Sequence, residues 1–459
     1  MFARYVTTSR RGYATAADLC KFMSAVPNKK PPTLTASQAV SVIKSNQLVV
    51  LQGIHACPQV LMTAMMDHCK SSRLSNLRMV VGLTDGTMFA DPQFLNIFRP
   101  VTFFAGPQSR PAINAGKADF IPIFLSEFPK TFGRILFPDV TLVHVTPGDE
   151  HGYHSLGRSC DFALHAIYHS KHVIAQVNRH MPRTGGQTVI HGSHFDALVQ
   201  GDAPLPDYPI QTEFTEQETR IGQLIAENLV QDGATLQMGI GGIPDSVLSQ
   251  LHHHRDLGVH TELNSDGVID LMQSGVINNQ KKKLLPGYFV TGILIGTKRL
   301  DEFADRNPVF LMKPSTFTNA EENIRINPKV TAINQCLGID LAGNVVSDMI
   351  GRSIYSGFGG QVDFLKGASL SEGGKAILAM TSTTSTGTSK ITADTAAGTS
   401  ITATRGHVDY IVTEYGITSL YGKNLRQRAY ELIRLAHPDH REELEKAAFQ
   451  NLKCIPSPD

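Results

Sequence analysis

Short apolar runs alternate with amphipathic stretches along most of the chain, and this alternation predicts the fold class. The apolar runs with few polar interruptions are Leu77 to Val81, Val101 to Phe104, Val140 to Val145, Val173 to Val177, Phe289 to Ile295 and Tyr410 to Val412. Such runs are typical of strands that are buried on both faces, and the stretches between them fit helical crossovers. We therefore predict an α/β protein built on open parallel sheets.

The two halves of the chain begin with the same pattern. A helical stretch, Ala36 to Ser45, leads to the apolar run Leu48 to Ile54, and a second one, Glu218 to Gln231, leads to Thr235 to Ile240. Both runs end in Gly-Ile, with a proline five positions after the glycine. This repeat indicates two tandem, similar domains, and a chance likeness of two strand–turn–helix units is the alternative.

A proline-rich segment separates the halves and marks the domain boundary. Residues Gly201 to Pro209 are rich in proline and cannot sustain a helix, so we predict a linker there. The expected domains are 18–205 and 214–459. Within the second domain, Thr381 to Thr404 is rich in Thr and Ser, and its alternating stretches around Ile391 and Ile401 predict β structure.

Composition narrows the function classes. Hydrophobic residues make up 41% and charged residues 18% of the 459, which argues against a disordered or fibrous chain. The formal net charge of +1 argues against nucleic acid as the main partner. The six cysteines include no Cys-x-x-Cys pair, so we expect reduced thiols and no zinc site. No apolar run reaches the roughly 18 residues of a membrane span, so we expect a soluble protein.

The first 17 residues have the composition of a mitochondrial presequence. They hold three arginines and several Ser and Thr hydroxyls, and the first acidic residue of the chain is Asp18. The segment Arg11-Gly12-Tyr13-Ala14 resembles a matrix-protease cleavage pattern, with cleavage near Tyr13. We therefore expect a transit peptide at 1–17 and a location in the mitochondrial matrix, and an ordinary frayed N-terminus is the alternative.

A glycine-rich turn followed by a carboxylate is the strongest chemical signal. The strand Thr235 to Met238 leads to Gly239-Ile240-Gly241-Gly242-Ile243, and Pro244 fits the first position of a helix. Such a turn directs backbone N–H groups at an anion or a developing oxyanion, although glycine turns also serve tight packing. The alternating run Gly258 to Leu263 places Glu262 at the C-terminal tip of a neighbouring strand, where open α/β sheets carry their sites.

A third element and a second carboxylate complete the candidates. The glycine loop Ser356 to Phe364 can face the same cleft. Glu414 follows an apolar strand and is the second candidate nucleophile, but a structural carboxylate is the better interpretation because no glycine loop adjoins it. Lys366 is a candidate for contact with phosphate, and Lys281 to Lys283 fits a surface run better.

Several segments, taken in order, resemble one known family. They are Gly239 to Pro244, His260-Thr261-Glu262 with Ser265-Asp266-Gly267, Ser356 to Phe364, Val412 to Gly416 and Ala436-His437-Pro438, and in the first half Asp139, Gly152-Tyr153 and Asn178. This set is similar to the acetyl-CoA hydrolase/transferase family, the class I CoA-transferase group with acetate:succinate and 4-hydroxybutyrate or butyrate CoA-transferases. The likeness covers nearly all of the chain after the presequence.

The resemblance implies a fold and residue roles. It implies two domains of the CoA-transferase (NagB/RpiA-like) fold, with the active site between them, and a homodimer. Glu262 is then the nucleophile, Gly360 donates a hydrogen bond near the thioester, and Asn319 matches a family asparagine near the acyl group. Coenzyme A is bound as the acyl-CoA substrate, without metal or NAD. Its expected contacts are Gly239, Ile240, Gly241, Gly242, Ile243 and Gly359, and Lys366 is added as a phosphate contact on its charge alone.

One position departs from the family pattern. Asn264 stands where relatives often carry an aromatic or bulky apolar residue, which leaves the acyl pocket and the substrate open. The expected reaction moves CoA between acetyl-CoA and a short acid such as succinate, by ping-pong chemistry through a glutamyl-CoA thioester. Acetyl-CoA hydrolase is the nearest alternative.

Two other function classes remain open on the sequence. An NAD-binding oxidoreductase is one, since Glu262 follows Gly241 at the spacing of a ribose-binding acid, but Pro244 occupies the place of the third glycine. The other is a catalytically silent acyl-CoA sensor, against which an intact Glu262 counts.

Overall fold

The computed structural model describes residues 12–84, 87–208 and 211–459, and the chain divides into two compact units. The first unit comprises Met1–Tyr208 and Thr291–Thr318, and the second comprises Pro209–Val290 and Asn319–Asp459. The predicted domain limits stay a prediction; residues 291–318, which they leave in the second domain, pack with the first unit. Residues 1–11 of the predicted presequence and Pro209 of the predicted linker lie outside the described residues.

The first unit is built on a seven-stranded sheet in which all pairs are parallel. Its strands are β1 (Leu48–Leu51), β2 (Leu77–Val81), β3 (Phe98–Thr102), β4 (Asp119–Phe120), β5 (Val140–Val145), β6 (His172–Val177) and β7 (Ala197–Gln200). Their order is β7-β6-β5-β1-β2-β3-β4. Every residue of β1 and β5 is buried, as expected of strands covered on both faces.

Helices and minor strands accompany this sheet. The α-helices are Ala16–Cys20, Ala36–Val40, Gln59–Ser71, Phe94–Ile97, Arg110–Asn114, Ala163–His169, Lys298–Ala304 and Ser315–Thr318, and the 3-10 helices are Lys21–Met23, Thr87–Ala90, Phe128–Thr131 and Gly192–His194. The minor strands are Tyr153–Ser155, Gly185–Gly186, Val189–His191, Ile293–Leu294 and Phe310–Met312. Successive side chains of β1 point to opposite faces, so Val49 and Val50 belong to two separate clusters of the core.

The second unit is built on a six-stranded sheet. Its strands are β8 (Thr235–Met238), β9 (Gly258–Val259), β10 (Val330–Gln335), β11 (Lys375–Ala379), β12 (Tyr410–Thr413) and β13 (Gly416–Ser419). They are arranged β9-β8-β10-β11-β12-β13, with the last pair antiparallel and the others parallel. The α-helices are Glu216–Asn228, Gly242–Ser249, Val268–Gln273, Glu321–Ile326, Gln361–Leu370, Leu425–Leu435 and Pro438–Leu452. The minor strands are Leu263–Asn264, Gly338–Asp340, Val345–Val346, Met349–Ile350, Ser353–Ile354 and Ile391–Thr392, and the strand Phe289–Thr291 spans the division between the units.

Both sheets share one topological feature, the position of the strand that opens the unit. In the first unit β1 lies between β2 and β5, and in the second β8 lies between β9 and β10. The sheet therefore grows in opposite directions on the two sides of this strand. Open parallel sheets bind ligands at the carboxyl ends of the strands beside such a switch point. The prediction of an α/β protein with parallel sheets is confirmed.

Several sequence expectations about the extent of elements were wrong. The helix predicted over Ala36 to Ser45 ends at Val40, and the run Phe289 to Ile295 is broken at Gly292. The segment Thr381 to Thr404, described throughout, contains one strand, Ile391–Thr392. Its hydroxyls donate to nearby carbonyls, for example Thr381 Oγ1 to Thr383 O at 2.8 Å, and such local bonds compete with strand pairing.

Within the described part of the chain, no helix has the length and apolar character needed to cross a membrane.

Candidate active site

Glu262 lies just beyond the end of β9. The strand pairs in parallel with β8 as expected, but it stops at Val259, and His260 makes one further bridge to Val290. The chain then bends at Glu262, whose side chain is half-buried. The predicted strand to Leu263 was thus too long, while Glu262 does lie at the carboxyl edge, beside the strand that carries the glycine turn.

Asn319 and Gly360 lie against the Glu262 carboxylate. The Asn319 Nδ2 atom donates to Glu262 Oε2 at 2.8 Å and to Asp363 Oδ2 at 3.4 Å. A Cβ atom on Gly360 would collide with both Glu262 Oε2 and Asn319 Nδ2. Glycine is therefore required at 360 by the close approach of two polar side chains. Three residues that are far apart in sequence meet at this point.

The carboxylate faces the N-terminus of a helix. Gly360 is the N-cap of Gln361–Leu370, and Gly359 has a φ of +53°. The N–H groups of Gly359 and Gly360 make no hydrogen bond to any described residue. A helix N-terminus carries a partial positive charge and N–H groups without intrahelical acceptors, so it stabilises negative charge. This edge can therefore bind an oxyanion beside Glu262.

The glycine turn Gly239 to Ile243 connects β8 to the helix Gly242–Ser249. Gly241 is the N-cap with a φ of +120°, a backbone conformation that favours glycine. Pro244 is the third residue of the helix rather than the first, which a residue without an N–H still tolerates in the first turn. A Cβ atom on Gly242 would collide with the Glu218 carboxylate. An anionic ligand at this turn would therefore meet Glu218.

Gln335, at the end of β10, lies between the two glycine loops. Its Nε2 atom is 3.1 Å from the position that a Cβ atom on Gly241 would take. Its backbone oxygen accepts a hydrogen bond of 2.7 Å from Gln361 Nε2. The glycine turn and the helix that Gly360 caps therefore share one carboxyl edge of the sheet. Sequence reasoning assigned no role to Gln335 or Asp363, because an amide at a strand end and an acid in a first helical turn are common.

The remaining predicted CoA contacts lie in the glycine turn or farther along the helix that Gly360 caps. Ile243 is buried and Ile240 is half-buried in the turn. Lys366 is exposed on Gln361–Leu370, about 9 Å along the helix axis from Gly360. Its role in phosphate binding stays a prediction.

Glu414, the second candidate nucleophile, is engaged in a structural contact. Its Oε1 atom accepts from Ser382 Oγ at 2.6 Å and its Oε2 atom from Ser382 N at 2.9 Å. Both oxygens are therefore used within the folded chain. Lys390 lies close by, and burial lowers its pKa, opposed by the charges of Cys336, Glu414 and Glu218. Sequence reasoning placed Lys390 only in a Thr-rich strand.

In the first unit, the residues with a family-like pattern pair with other parts of the folded chain. Asn178 Nδ2 donates to His144 Nε2 at 3.0 Å and to Ala203 O at 2.7 Å. The Asp139 carboxylate accepts from Leu48 N at 2.9 Å. Among the side chains that the structure describes, no three His, Cys, Asp or Glu are grouped to hold a metal ion.

Comparison with known proteins identifies the family. Two family models match: the N-terminal domain of acetyl-CoA hydrolase/transferase over residues 28–206 and its C-terminal domain over 296–448. The succinyl-CoA:acetate/propanoyl-CoA:succinate CoA transferase of Fasciola hepatica is 46% identical, over 95% of this chain and 91% of that protein. The 4-hydroxybutyrate coenzyme A transferase of Clostridium kluyveri is 41% identical, over 90% of this chain and 96% of that protein.

A solved structure agrees with this assignment. The 4-hydroxybutyrate CoA-transferase of Porphyromonas gingivalis superposes with a TM-score of 0.78 at 34% identity, over 92% of this chain and 98% of that one. Relatives named as acetyl-CoA hydrolases are more distant than the two transferases. The prediction of a CoA-transferase enzyme is confirmed by these relatives. The chain belongs to the acetyl-CoA hydrolase/transferase family.

Proposed function

We propose that this protein moves CoA between acetyl-CoA and a short-chain carboxylate such as succinate, through a thioester on Glu262. The observation that carries the proposal is the Glu262 carboxylate, which accepts from Asn319 and lies against Gly360 at the N-terminus of a helix. The acids are assigned by likeness to the Fasciola hepatica protein, whose name includes succinyl-CoA, acetate, propanoyl-CoA and succinate.

The chemistry begins with attack by the Glu262 carboxylate on the thioester carbonyl of acetyl-CoA. The C–S bond breaks, which leaves an acetyl–glutamyl anhydride and the CoA thiolate. The thiolate attacks the glutamyl carbonyl of the anhydride and releases acetate, so CoA is now joined to Glu262. A second acid attacks this glutamyl thioester, and the same steps in reverse give the new acyl-CoA and free Glu262. The expected kinetics are ping-pong.

A carboxylate suits this role because it is already charged at neutral pH. The reference pKa of glutamate is about 4.3, so no general base is needed to activate it. Each tetrahedral intermediate carries an oxyanion, which needs hydrogen-bond donors that are in place before the reaction. The N–H groups of Gly359 and Gly360 and the amide of Asn319 are donors of this kind beside the carboxylate.

Coenzyme A binding is assigned to the same edge of the sheet. We place the carrier along Gly239 to Ile243 and Gly359, with Lys366 near a phosphate. The N-terminus of the helix Gly242–Ser249 provides N–H groups for an anion. Because Glu218 lies against Gly242, binding at that point requires the Glu218 side chain to move.

Mass measurement after incubation with acetyl-CoA tests the reaction type and the nucleophile together. We expect a CoA-sized adduct on the peptide that contains Glu262, and its discharge by added acetate or succinate. Glu443, exposed on Pro438–Leu452, provides the matched control: Glu443→Gln should form the same adduct. An adduct on the peptide with Glu414 would move the nucleophile to that residue.

Loss of the thioester in buffer without any acid measures the hydrolase alternative. In a transferase, the glutamyl thioester is conserved only while water is kept out. We expect acetyl-CoA to be consumed much faster with succinate than without it. Consumption at a rate that ignores succinate would establish acetyl-CoA hydrolase instead.

We further propose that the protein acts in the mitochondrial matrix and as a homodimer. The support for the location is the arginine-rich, acid-free composition of residues 1–17, and the dimer rests on the family alone. N-terminal sequencing of the protein isolated from cells should find a new terminus near Tyr13. A protein that keeps Met1 and stays outside mitochondria on fractionation would remove the proposed location, and a monomer in analytical ultracentrifugation would remove the dimer.

A further inference from the structure

Asn264 is a buried asparagine whose side-chain amide has no partner among the residues that the structure describes. It ends the strand Leu263–Asn264, two residues after Glu262, and is 2% exposed. Neither its Oδ1 nor its Nδ2 atom makes a hydrogen bond to a described residue. Among the buried side chains that the structure describes, Asn264 is the one with two such atoms.

A fully unpaired buried amide is unfavourable, so its presence needs a reason. Folding removes the amide from water, and no described residue replaces the lost hydrogen bonds. Two other buried amides of the same unit are paired: Asn319 Nδ2 donates to Glu262, and Asn334 Nδ2 donates to Gln237 Oε1 at 2.9 Å. Unsatisfied polar groups persist in native proteins mainly where they serve a ligand, a water or a catalytic step.

The position of Asn264 relative to Glu262 indicates which ligand. Glu262 lies in a bend, and Asn264 ends the short strand that follows this bend. The Cα atoms of these two residues are at most about 7 Å apart, the span of two residues of chain. The far end of a short acyl group that Glu262 attacks is therefore within reach of the Asn264 side chain.

We propose that Asn264 determines acyl specificity by binding a hydrogen-bonding oxygen at the far end of the acyl chain. This inference rests on the proposed function of Glu262. The amide offers two N–H donors and one carbonyl acceptor. A terminal carboxylate accepts from Nδ2, a terminal hydroxyl accepts from Nδ2 and donates to Oδ1, and a terminal methyl group leaves both atoms unpaired. The ligand class is thus a short acid with a polar terminus.

A comparison of three four-carbon acids as acceptors tests the proposal. Succinate, 4-hydroxybutyrate and butyrate are each given to the full-length enzyme with acetyl-CoA, and kcat/KM is measured. We expect the wild type to prefer the better of the two polar acids over butyrate by about 10- to 100-fold, the effect of one hydrogen bond to a buried group. The polar acid that is preferred identifies the terminus, carboxylate or hydroxyl.

Two substitutions remove the amide. Asn264→Leu keeps the volume of the side chain, and Asn264→Ala serves if leucine disturbs the fold. Both should bring the ratio of polar acid to butyrate close to one. The matched control is Asn327→Leu: this buried asparagine also has an unpaired Nδ2, but its Oδ1 accepts from Leu284 N at 2.9 Å, so its loss should leave the ratio unchanged.

Thermal unfolding separates a specificity role from a structural one. Because the Asn264 side chain makes no hydrogen bond to a described residue, Asn264→Leu should hold or raise Tm, whereas Asn327→Leu should lower it. An unchanged ratio in both Asn264 variants, or a Tm loss in Asn264→Leu as large as in Asn327→Leu, overturns the proposal. If the wild type forms no CoA adduct at Glu262, the proposed function fails first and this inference falls with it.

Discussion

The carboxyl edges of the two sheets begin from the same topology and end with different chemistry. At the carboxyl edge of the first unit, polar side chains have hydrogen-bond partners within the fold. Gln52 Oε1 accepts from His144 N at 2.7 Å, and His144 Nε2 accepts from Asn178 Nδ2. At the carboxyl end of β8 in the second unit, the turn consists mainly of glycines. The Glu262 carboxylate lies at the same edge, beside the N–H groups of Gly359 and Gly360, which have no acceptor in the described chain.

The difference shows how one of two similar sheets becomes reactive. At the first edge, the buried polar groups of Gln52, His144 and Asn178 have partners within the fold, so these groups stabilise the edge and are not left for a ligand. The second edge keeps donors at the N-terminus of Gln361–Leu370 and an acceptor at Glu262, at a cost in stability that ligand binding offsets. Glycines at 241 and 360 allow the close approach that a side chain would block.

Removing the nucleophile should have the largest effect. Glu262→Gln keeps the shape of the side chain and removes the charge, so no anhydride can form, and kcat should fall by about 10⁴-fold or more. The measurement is CoA transfer to succinate, with thermal unfolding as a check on the fold. Full turnover by this variant would place the chemistry elsewhere.

Filling the space at Gly360 should have the next largest effect. In Gly360→Ala, the new Cβ atom collides with Glu262 Oε2 and Asn319 Nδ2, which displaces the carboxylate from the helix N-terminus. We expect kcat to fall by about 100- to 1000-fold, as for the loss of an oxyanion donor. Gly406→Ala is the control, since the nearest atom to its Cβ is 3.9 Å away. Equal activity of the two variants would contradict the close approach at Gly360.

Acid should destabilise the first unit through His144. Burial, with a smaller contribution from Arg158, lowers the pKa of His144 to about 4, from an ordinary value near 6.5. The unfolded chain therefore binds this proton first, and the free energy of unfolding falls as pH drops from about 6.5 to about 4, by up to the order of 3 kcal/mol. Denaturant unfolding at several pH values measures the slope. In His144→Gln this part of the slope should vanish; an identical slope would show that other groups carry it.

Asp245, in the first turn of the helix Gly242–Ser249, should have the opposite effect on stability when it takes up a proton. Burial raises its pKa to about 6, so the folded state holds the proton more tightly than the unfolded chain. Its contribution to the free energy of unfolding is present at low pH and is lost as pH rises from about 4 to about 6. Asp245→Asn should therefore be more stable than the wild type at pH 7 and gain less on acidification. Unfolding curves of both proteins at pH 5 and pH 7 check the sign.

Glu414 should give the smallest effect. In Glu414→Gln, the new amide nitrogen cannot accept a hydrogen bond, so Ser382 loses one of its two acceptors. We expect the free energy of unfolding to fall by about 1–2 kcal/mol. The CoA adduct at Glu262 should still form. Loss of the adduct would give Glu414 a part in the reaction.

Much of the architecture could be predicted from local patterns. The runs at Leu77 to Val81, Val140 to Val145 and Thr235 to Met238 are strands with the predicted limits, because continuous burial selects the same β-branched and apolar residues everywhere. The predictions were less accurate at Gly258 to Leu263 and Thr381 to Thr404. There, strand length depended on a bend and on hydroxyl groups that bond their neighbours.

The candidate site, like the architecture, could be predicted from the sequence only in part. Glu262 and the glycine turn carry a local signature, but nothing in the sequence near Asn319 states that its amide reaches Glu262, or that Gly360 must be glycine because of them. The unpaired state of the Asn264 amide is likewise invisible in sequence, since the pairing of a side chain depends on neighbours that only folding supplies.

The sequence by itself determined the fold class, the order of the motifs and the carboxylate to consider first, because these follow from periodicity and from residues adjacent in the chain. Tertiary structure alone decided which amide binds that carboxylate, which glycine its approach requires, and which polar groups are left for a substrate. Those properties depend on distances of a few ångströms between segments far apart in the chain, and only packing sets such distances.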